Sequence, residues 1–234
     1  MRRSLFAGDG GGSAVIEVEV GGAVAERPRL RGVLHAVAFV VSCLVGALFV
    51  AYSPAGRGLA AAVFAASASV MLGTSALYHR VTWSPGRRLW MRRADHAALF
   101  LLIAGSYTPV ALIDLHGAMR TSVLGIVWAG AAVATITKMC WVGAPKWLSA
   151  AIGLALGWLA VVALPQLARN ASLAALFLLA AGGIAYTAGA GVYVLRRPDP
   201  LPRVFGYHEL FHALTIIALG CQYVAIAVFV VRVT

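Results

Sequence analysis

Hydrophobic residues along this chain fall into long runs separated by short polar breaks. Seven runs can be bounded, at about 32–53, 58–79, 94–114, 121–140, 147–165, 171–195 and 206–231. Each is close to the ~20 apolar residues that a helix needs to cross a bilayer core. The breaks "SPAGRG", "TWSPGRR", "DLHGAMR", "VGAPK", "PQLARN" and "RRPDPLPR" carry the Pro and Gly that end helices. Pro109 differs, because it lies inside the third run after "GSYT", where a Ser or Thr hydroxyl can re-satisfy the kinked backbone. The pattern predicts an all-α integral membrane protein built as a seven-transmembrane helix bundle. A six-span bundle would have to discard a run, and no run is an obvious candidate.

Before the first run, residues 1–30 are rich in Gly and charge. "AVIEVEV" alternates with the period of a strand, but a lone strand has nothing to pair with. Arg2 and Arg3 are followed by no apolar h-region, which argues against a signal peptide. Residues 1–30 are therefore expected to be a disordered cytoplasmic tail, and residues 31–234 one seven-helix domain.

Composition agrees with this reading. The chain is 61% hydrophobic and 12% charged, against about 45–50% and 25% in soluble domains. A globule of this length cannot enclose so much apolar surface. The net charge of +11 would suggest nucleic acid in a soluble protein, but here lysine and arginine mark cytoplasmic loops, so membrane lipids and no nucleic acid are the expected partners. With the N-terminus inside, 15 of the 19 basic residues fall on cytoplasmic segments and four, Arg57, Arg120, Arg169 and Arg232, outside. That bias predicts a multi-pass plasma-membrane protein with a cytoplasmic N-terminus and an outer C-terminus. Cys43, Cys140 and Cys221 lie in apolar runs without paired spacing and imply no disulfide framework.

Ionisable residues at membrane depth are costly and are functional candidates by default. Few remain beside the spans: His35, His79, Asp95, His96, His208, Glu209 and His212. The alternation of spans puts the end of the second run and the starts of the third and seventh on one side of the membrane. His79, Asp95 with His96, and His208 with Glu209 and His212 then share a layer near the inner face. His208 and His212, four apart, lie on one helix face about 6 Å apart, and His79 would supply a third nitrogen. Three protein ligands with an open fourth position describe a catalytic zinc site. Ser75, one turn from His79 on the same face, points towards it, and Asp95 can act as general base. Helix–helix hydrogen bonding is the other explanation for such histidines. His35 is expected to pack or hydrogen-bond within the bundle, and His96 to support the site or sit at the interface. "HELFH" also spells H-E-x-x-H, the metalloprotease pattern in which the glutamate is the base.

The set "SALYHRVTWS", "RRADHAALFLLIAGSYTP", "GAPKWL", "ALGW", "RRPDP" and "FGYHELFHALT" resembles the bacterial hemolysin III family over about residues 28–225. That family is related to the progestin and adipoQ receptors and, more distantly, to the alkaline ceramidases. The resemblance implies seven helices with a cytoplasmic N-terminus and a zinc ion near the inner leaflet. Its S-x-x-x-H falls on Ser75 and His79, its aspartate on Asp95 and its H-x-x-x-H on His208 and His212. The family pattern does not require glutamate between the histidines. The implied activity is zinc-dependent hydrolysis of a lipid amide or ester, with Asp95 taking the proton and Ser75 donating to the developing oxyanion. The alternatives are a non-enzymatic, zinc-stabilised protein that senses or perturbs lipid, and an intramembrane metalloprotease with Glu209 as its base.

Overall fold

The computed structural model describes residues 28–141 and 143–233, and within them the chain is helical with no strand. The helices are α1 (Val33–Ala51), α2 (Gly58–Arg80), α3 (Pro85–Asp114), α4 (Gly117–Cys140), α5 (Lys146–Gly157), α6 (Ala160–Asn170), α7 (Leu173–Leu195) and α8 (Tyr207–Val224). A π-helical segment, Ala225–Val231, continues α8. α5 and α6 together form one span, so seven spans are long and apolar enough to cross a membrane. Residues 1–27, most of the expected tail, lie outside the described residues.

The periodicity located the spans but misplaced some ends. α3 begins at Pro85, nine residues before the apolar run. Proline at the first helical position is a start signal, because its missing N–H would be unpaired there anyway. Arg87, Arg88, Arg92 and Arg93 then extend the helix at little cost in propensity. The fifth span is broken at Trp158–Leu159 and runs on through Pro165 to Asn170, so "PQLARN" is helical. The break is stitched by Tyr107 of α3. Its hydroxyl lies 2.6 Å from the Gly157 carbonyl and 3.0 Å from that of Leu156, and accepts from the Ala160 N–H at 2.8 Å. Around Pro109, the Thr108 hydroxyl donates to the Ala104 carbonyl at 2.9 Å and the Ser106 hydroxyl to that of Ile103 at 2.9 Å. The carbonyl that Pro109 frees is that of Gly105, so these bonds do not supply the re-satisfaction expected of "GSYT".

Packing runs through α2, which lies against both α1 and α3, while α7 lies against α8. The contact face of α2 is rich in small residues, with Ala61, Ala68 and Ser67 buried beside Phe64, Met71 and Leu72. Close approach of backbones is how helices gain contact where no hydrophobic drive operates between them. Gly105 shows how close the approach is: a Cβ there would collide with the side chain of Ser67. Large apolar residues are displayed outward, Leu173 at 84% exposure and Val37 and Leu44 of α1 above 60%. Such a surface suits lipid, not water.

At one end of the bundle, α2 finishes and α8 starts. Residues 28–32 form a turn there, hydrogen-bonded through Arg29 N–H and Leu30 N–H to the carbonyls of Arg203 and Val204. Gly32 follows with φ +75°, and a Cβ on it would lie 2.7 Å from the Cβ of His79. At the opposite end, Arg57 donates to the carbonyls of Val230 and Val231 at 3.1 and 2.9 Å, closing the last helical segment.

Candidate metal centre

Two helices bring the histidines together. His79 lies in the last turn of α2, and His208 and His212 occupy successive turns of α8. One ring nitrogen from each lies within 4.8 Å of the other two. One pair, His79 Nε2 and His208 Nε2, is 3.1 Å apart. Ring centroids are separated by 4.7 Å for His79–His208, 5.1 Å for His79–His212 and 4.4 Å for His208–His212. Tetrahedral zinc with Zn–N of about 2.0–2.1 Å places its ligand nitrogens about 3.3 Å apart. The donor set therefore fits a metal ion, with two of the nitrogens already near the edge length of that tetrahedron.

The trio opens on a cavity of ≈ 1110 Å³ between the helices. Ser75, Asp95 and His96 also line it. Ser75 is buried one turn before His79, and its side chain is hydrogen-bonded to the Asp95 carboxyl. Asp95 lies deep in the protein but faces the cavity, so it keeps some accessible surface. The structure thus gathers all five residues that the sequence singled out around one space. His96 shares the cavity but is not part of the metal-ready group.

Glu209 is turned to other uses. It is 1% exposed, 2.6 Å from the Arg31 guanidinium, and accepts from the Gly206 N–H at 3.0 Å. One carboxylate therefore caps the start of α8 and pins the residue 28–32 turn to it. The adjacent Asp199 carboxylate accepts from the Tyr207 N–H at 2.7 Å and satisfies a second N–H of the first turn. A glutamate held in this way lacks the freedom a protease base needs.

Sequence reasoning missed two supports. His35 of α1 packs within the bundle, as expected, but its partner was not foreseen: it stacks flat on His212 with centroids 3.8 Å apart and planes 2° from parallel. Only the rarity of a histidine in an apolar run could have signalled it. Lys146, at the start of α5, lies over the rings of Tyr193 and Tyr207 at 4.7 and 5.7 Å. No local pattern announces that contact.

The chain matches the model of a family described as "Haemolysin-III related" over residues 24–223. It is 28% identical over 171 residues to a "Hemolysin-3 homolog" of Bacillus subtilis (strain 168), covering 73% of this chain and 77% of that protein. It is 41% identical over 96 residues to "Hemolysin-3" of Bacillus cereus, covering 41% of this chain and 44% of the relative. A "Heptahelical transmembrane protein ADIPOR2" of Oryza sativa subsp. japonica is 33% identical over 186 residues, covering 71% of this chain and 80% of the plant protein.

Proposed function

The chain belongs to the haemolysin-III related family, and on that premise we propose that it is a zinc-dependent membrane hydrolase of lipid amide or ester bonds. The observation that carries the reading is the meeting of three imidazole nitrogens within 4.8 Å on the wall of a cavity that also holds Asp95 and Ser75. His79, His208 and His212 would hold the metal. When bound, zinc supplies Lewis acidity, polarising a carbonyl and lowering the pKa of water towards about 7.

The rest belongs to the chain's own residues. The Asp95 carboxylate takes a proton from the attacking water and returns it to the leaving nitrogen or oxygen. Water's oxygen bonds to the carbonyl carbon, the C–N or C–O bond breaks, and the products are a fatty acid and an amine or alcohol. Ser75, hydrogen-bonded to Asp95, fixes the direction of that carboxylate, and this engagement competes with donation to an oxyanion. Apolar lining from Met71, Leu99, Phe100 and Leu102 suits an acyl chain. The excess of basic residues on the segments flanking this end supports a cytoplasmic N-terminus and a site near the inner leaflet.

The names of the bacterial relatives support a second reading, a zinc-stabilised protein that perturbs lipid without chemistry. Asp95→Asn decides between them, because it keeps the histidines and removes the base. Under the hydrolase reading, purified Asp95→Asn retains zinc and loses fatty-acid release by about 10²–10⁴-fold, the usual worth of a positioned base. Wild-type protein that holds zinc and releases no fatty acid from amide and ester lipids would refute the hydrolase.

A further inference from the structure

The cavity carries a charge pattern that neither the metal site nor topology requires. On α3, Arg88, Arg92, Asp95, His96 and Leu99 all line it, a spacing of four, three, one and three residues that keeps to one helix face. Arg92 is one turn and Arg88 two turns before Asp95, about 4.5 and 10.5 Å along the axis at 1.5 Å per residue. Lys146 of α5 and Arg203 of the loop before α8 line the same end. Lys138, a lysine only 4% exposed on α4, lies within electrostatic reach of Arg92 and His96. Among the described residues the one ion pair is Arg31–Glu209. Among the described residues the nearby carboxylates form no ion pair with these cations: Asp95 is met by the Ser75 hydroxyl and Asp199 by the Tyr207 N–H. Lys146 rests on aromatic faces, not on a carboxylate.

Basic residues that only set topology need not point into the space between helices. Arg92 and Lys146 line that space half-buried, with Arg88 and Arg203 exposed at its mouth, and among the described residues the four bring donors without acceptors. Ser149, one turn after Lys146, and Tyr186 of α7 add buried hydroxyls on the cavity wall that have no hydrogen-bond partner among the described residues. Buried polar groups are nearly always paired, and each exception calls for an explanation. A ligand that brings anionic oxygens satisfies the cations and supplies acceptors together. Arginine in particular matches the fork of phosphate oxygens.

We propose that the cavity takes an acyl lipid bearing a phosphate headgroup, seated among Arg88, Arg92, Lys146 and Arg203. Its amide or ester bond then lies one to two helical turns away, beside Asp95 and the histidine trio. The placement of that bond rests on the hydrolase reading, whereas the headgroup site is tested by binding alone.

The test uses the full chain in neutral detergent, carrying Asp95→Asn so that no turnover confuses the titration. The probes are palmitoyl lysophosphatidate, monopalmitoylglycerol with the same chain but no phosphate, and inorganic phosphate alone. Lysophosphatidate should bind at least tenfold more tightly than monopalmitoylglycerol, with an affinity that falls as salt rises. Arg92→Gln and Lys146→Gln should each weaken lysophosphatidate about tenfold, the scale of a charge-assisted hydrogen bond, and leave monopalmitoylglycerol unchanged. That unchanged affinity also shows that the variants are folded. Arg87→Gln, on the same helix but outside the cavity lining, should change neither. Equal affinity for the two lipids, or an equal effect of Arg87→Gln, overturns the proposal. Phosphate alone binding as tightly as the lipid overturns its lipid part. Selective binding by a wild-type chain that releases no fatty acid from any lipid refutes the hydrolase and leaves the headgroup site standing.

Discussion

Replacing Gly32 by alanine strikes the metal centre from outside it. Gly32 has φ +75°, a conformation that costs an L-residue roughly 1–2 kcal/mol. The new methyl would lie 2.7 Å from the Cβ of His79, about 0.7 Å inside ordinary van der Waals contact, and 3.2 Å from Cγ of Arg80. The Arg80 stem can swing away, but the His79 Cβ is fixed to the backbone of α2. The turn and the end of α2 must therefore part by several tenths of an ångström. Metal–ligand distances tolerate only about 0.2 Å, and changes to groups that orient a ligand cost about 10–100-fold in metal affinity. Gly32→Ala should accordingly weaken zinc by that factor. A competition titration against a chelator of known affinity measures it in detergent. Thermal unfolding with and without zinc separates the two costs. Backbone strain lowers both melting temperatures equally, whereas a displaced His79 shrinks the increment that zinc adds, by about 1.4 kcal/mol per tenfold. Gly58→Ala, where an added Cβ meets nothing within 4 Å, is the control. A folded Gly32→Ala protein with wild-type zinc affinity would refute the argument that this turn positions His79.

The other predictions concern the site and its supports. His208→Ala should abolish stoichiometric zinc while His96→Ala keeps it, by metal analysis of purified protein. Zinc retained by His208→Ala would break the three-ligand assignment. Glu209→Gln removes one partner of a largely buried ion pair, which costs about 3–5 kcal/mol where both charges are fully buried. Arg31 is 22% exposed, so the low end applies. Melting should drop while lipid hydrolysis per folded molecule persists, and abolished turnover in folded protein would make Glu209, not Asp95 alone, part of the proton transfer. Tyr107→Phe leaves the Ala160 N–H and the Gly157 carbonyl without their partner and should destabilise by about 1–3 kcal/mol, read from chemical denaturation. No change would mean that the break in the fifth span does not depend on Tyr107.

Seven spans were legible because hydrocarbon makes length and apolarity nearly sufficient: a backbone at membrane depth must satisfy itself, and a helix of about 20 residues does so. What hydropathy cannot mark is a helix that runs on past the hydrocarbon. α3 gained its first two turns and α6 its last turn from residues whose polarity resembled loop. The break at Trp158–Leu159 was invisible for another reason, since the hydroxyl that satisfies it comes from Tyr107, about fifty residues earlier. The positions of His79, Asp95, His208 and His212 were legible because rare ionisable residues in apolar runs stand out and alternation of spans assigns them to one layer, and Ser75 followed from its one-turn spacing to His79. The flat stack of His35 on His212 was not, because which of two buried rings meet depends on the rotation of α1 about its own axis.

The fate of Glu209 shows why a local motif can be spelled correctly and still mislead. Glu209 is the third residue of α8, where the first N–H groups of any helix lack partners and attract a carboxylate. The same carboxylate is next to His208 in sequence, so the position offers two roles, base or cap, and spacing alone supports both. The decision comes from outside the motif. Arg31 arrives beside the start of α8 because residues 28–32 are hydrogen-bonded to the loop at Arg203 and Val204. Once a guanidinium is within 2.6 Å in a buried setting, the carboxylate is worth more as its counter-charge than free, since breaking such a pair leaves an uncompensated charge. Among the described residues Asp95 has no such guanidinium; its partner is a neutral hydroxyl, and it keeps a face on the cavity. Between Glu209 and Asp95, the one spelled into the motif is tied down and the one outside it keeps its face on the cavity.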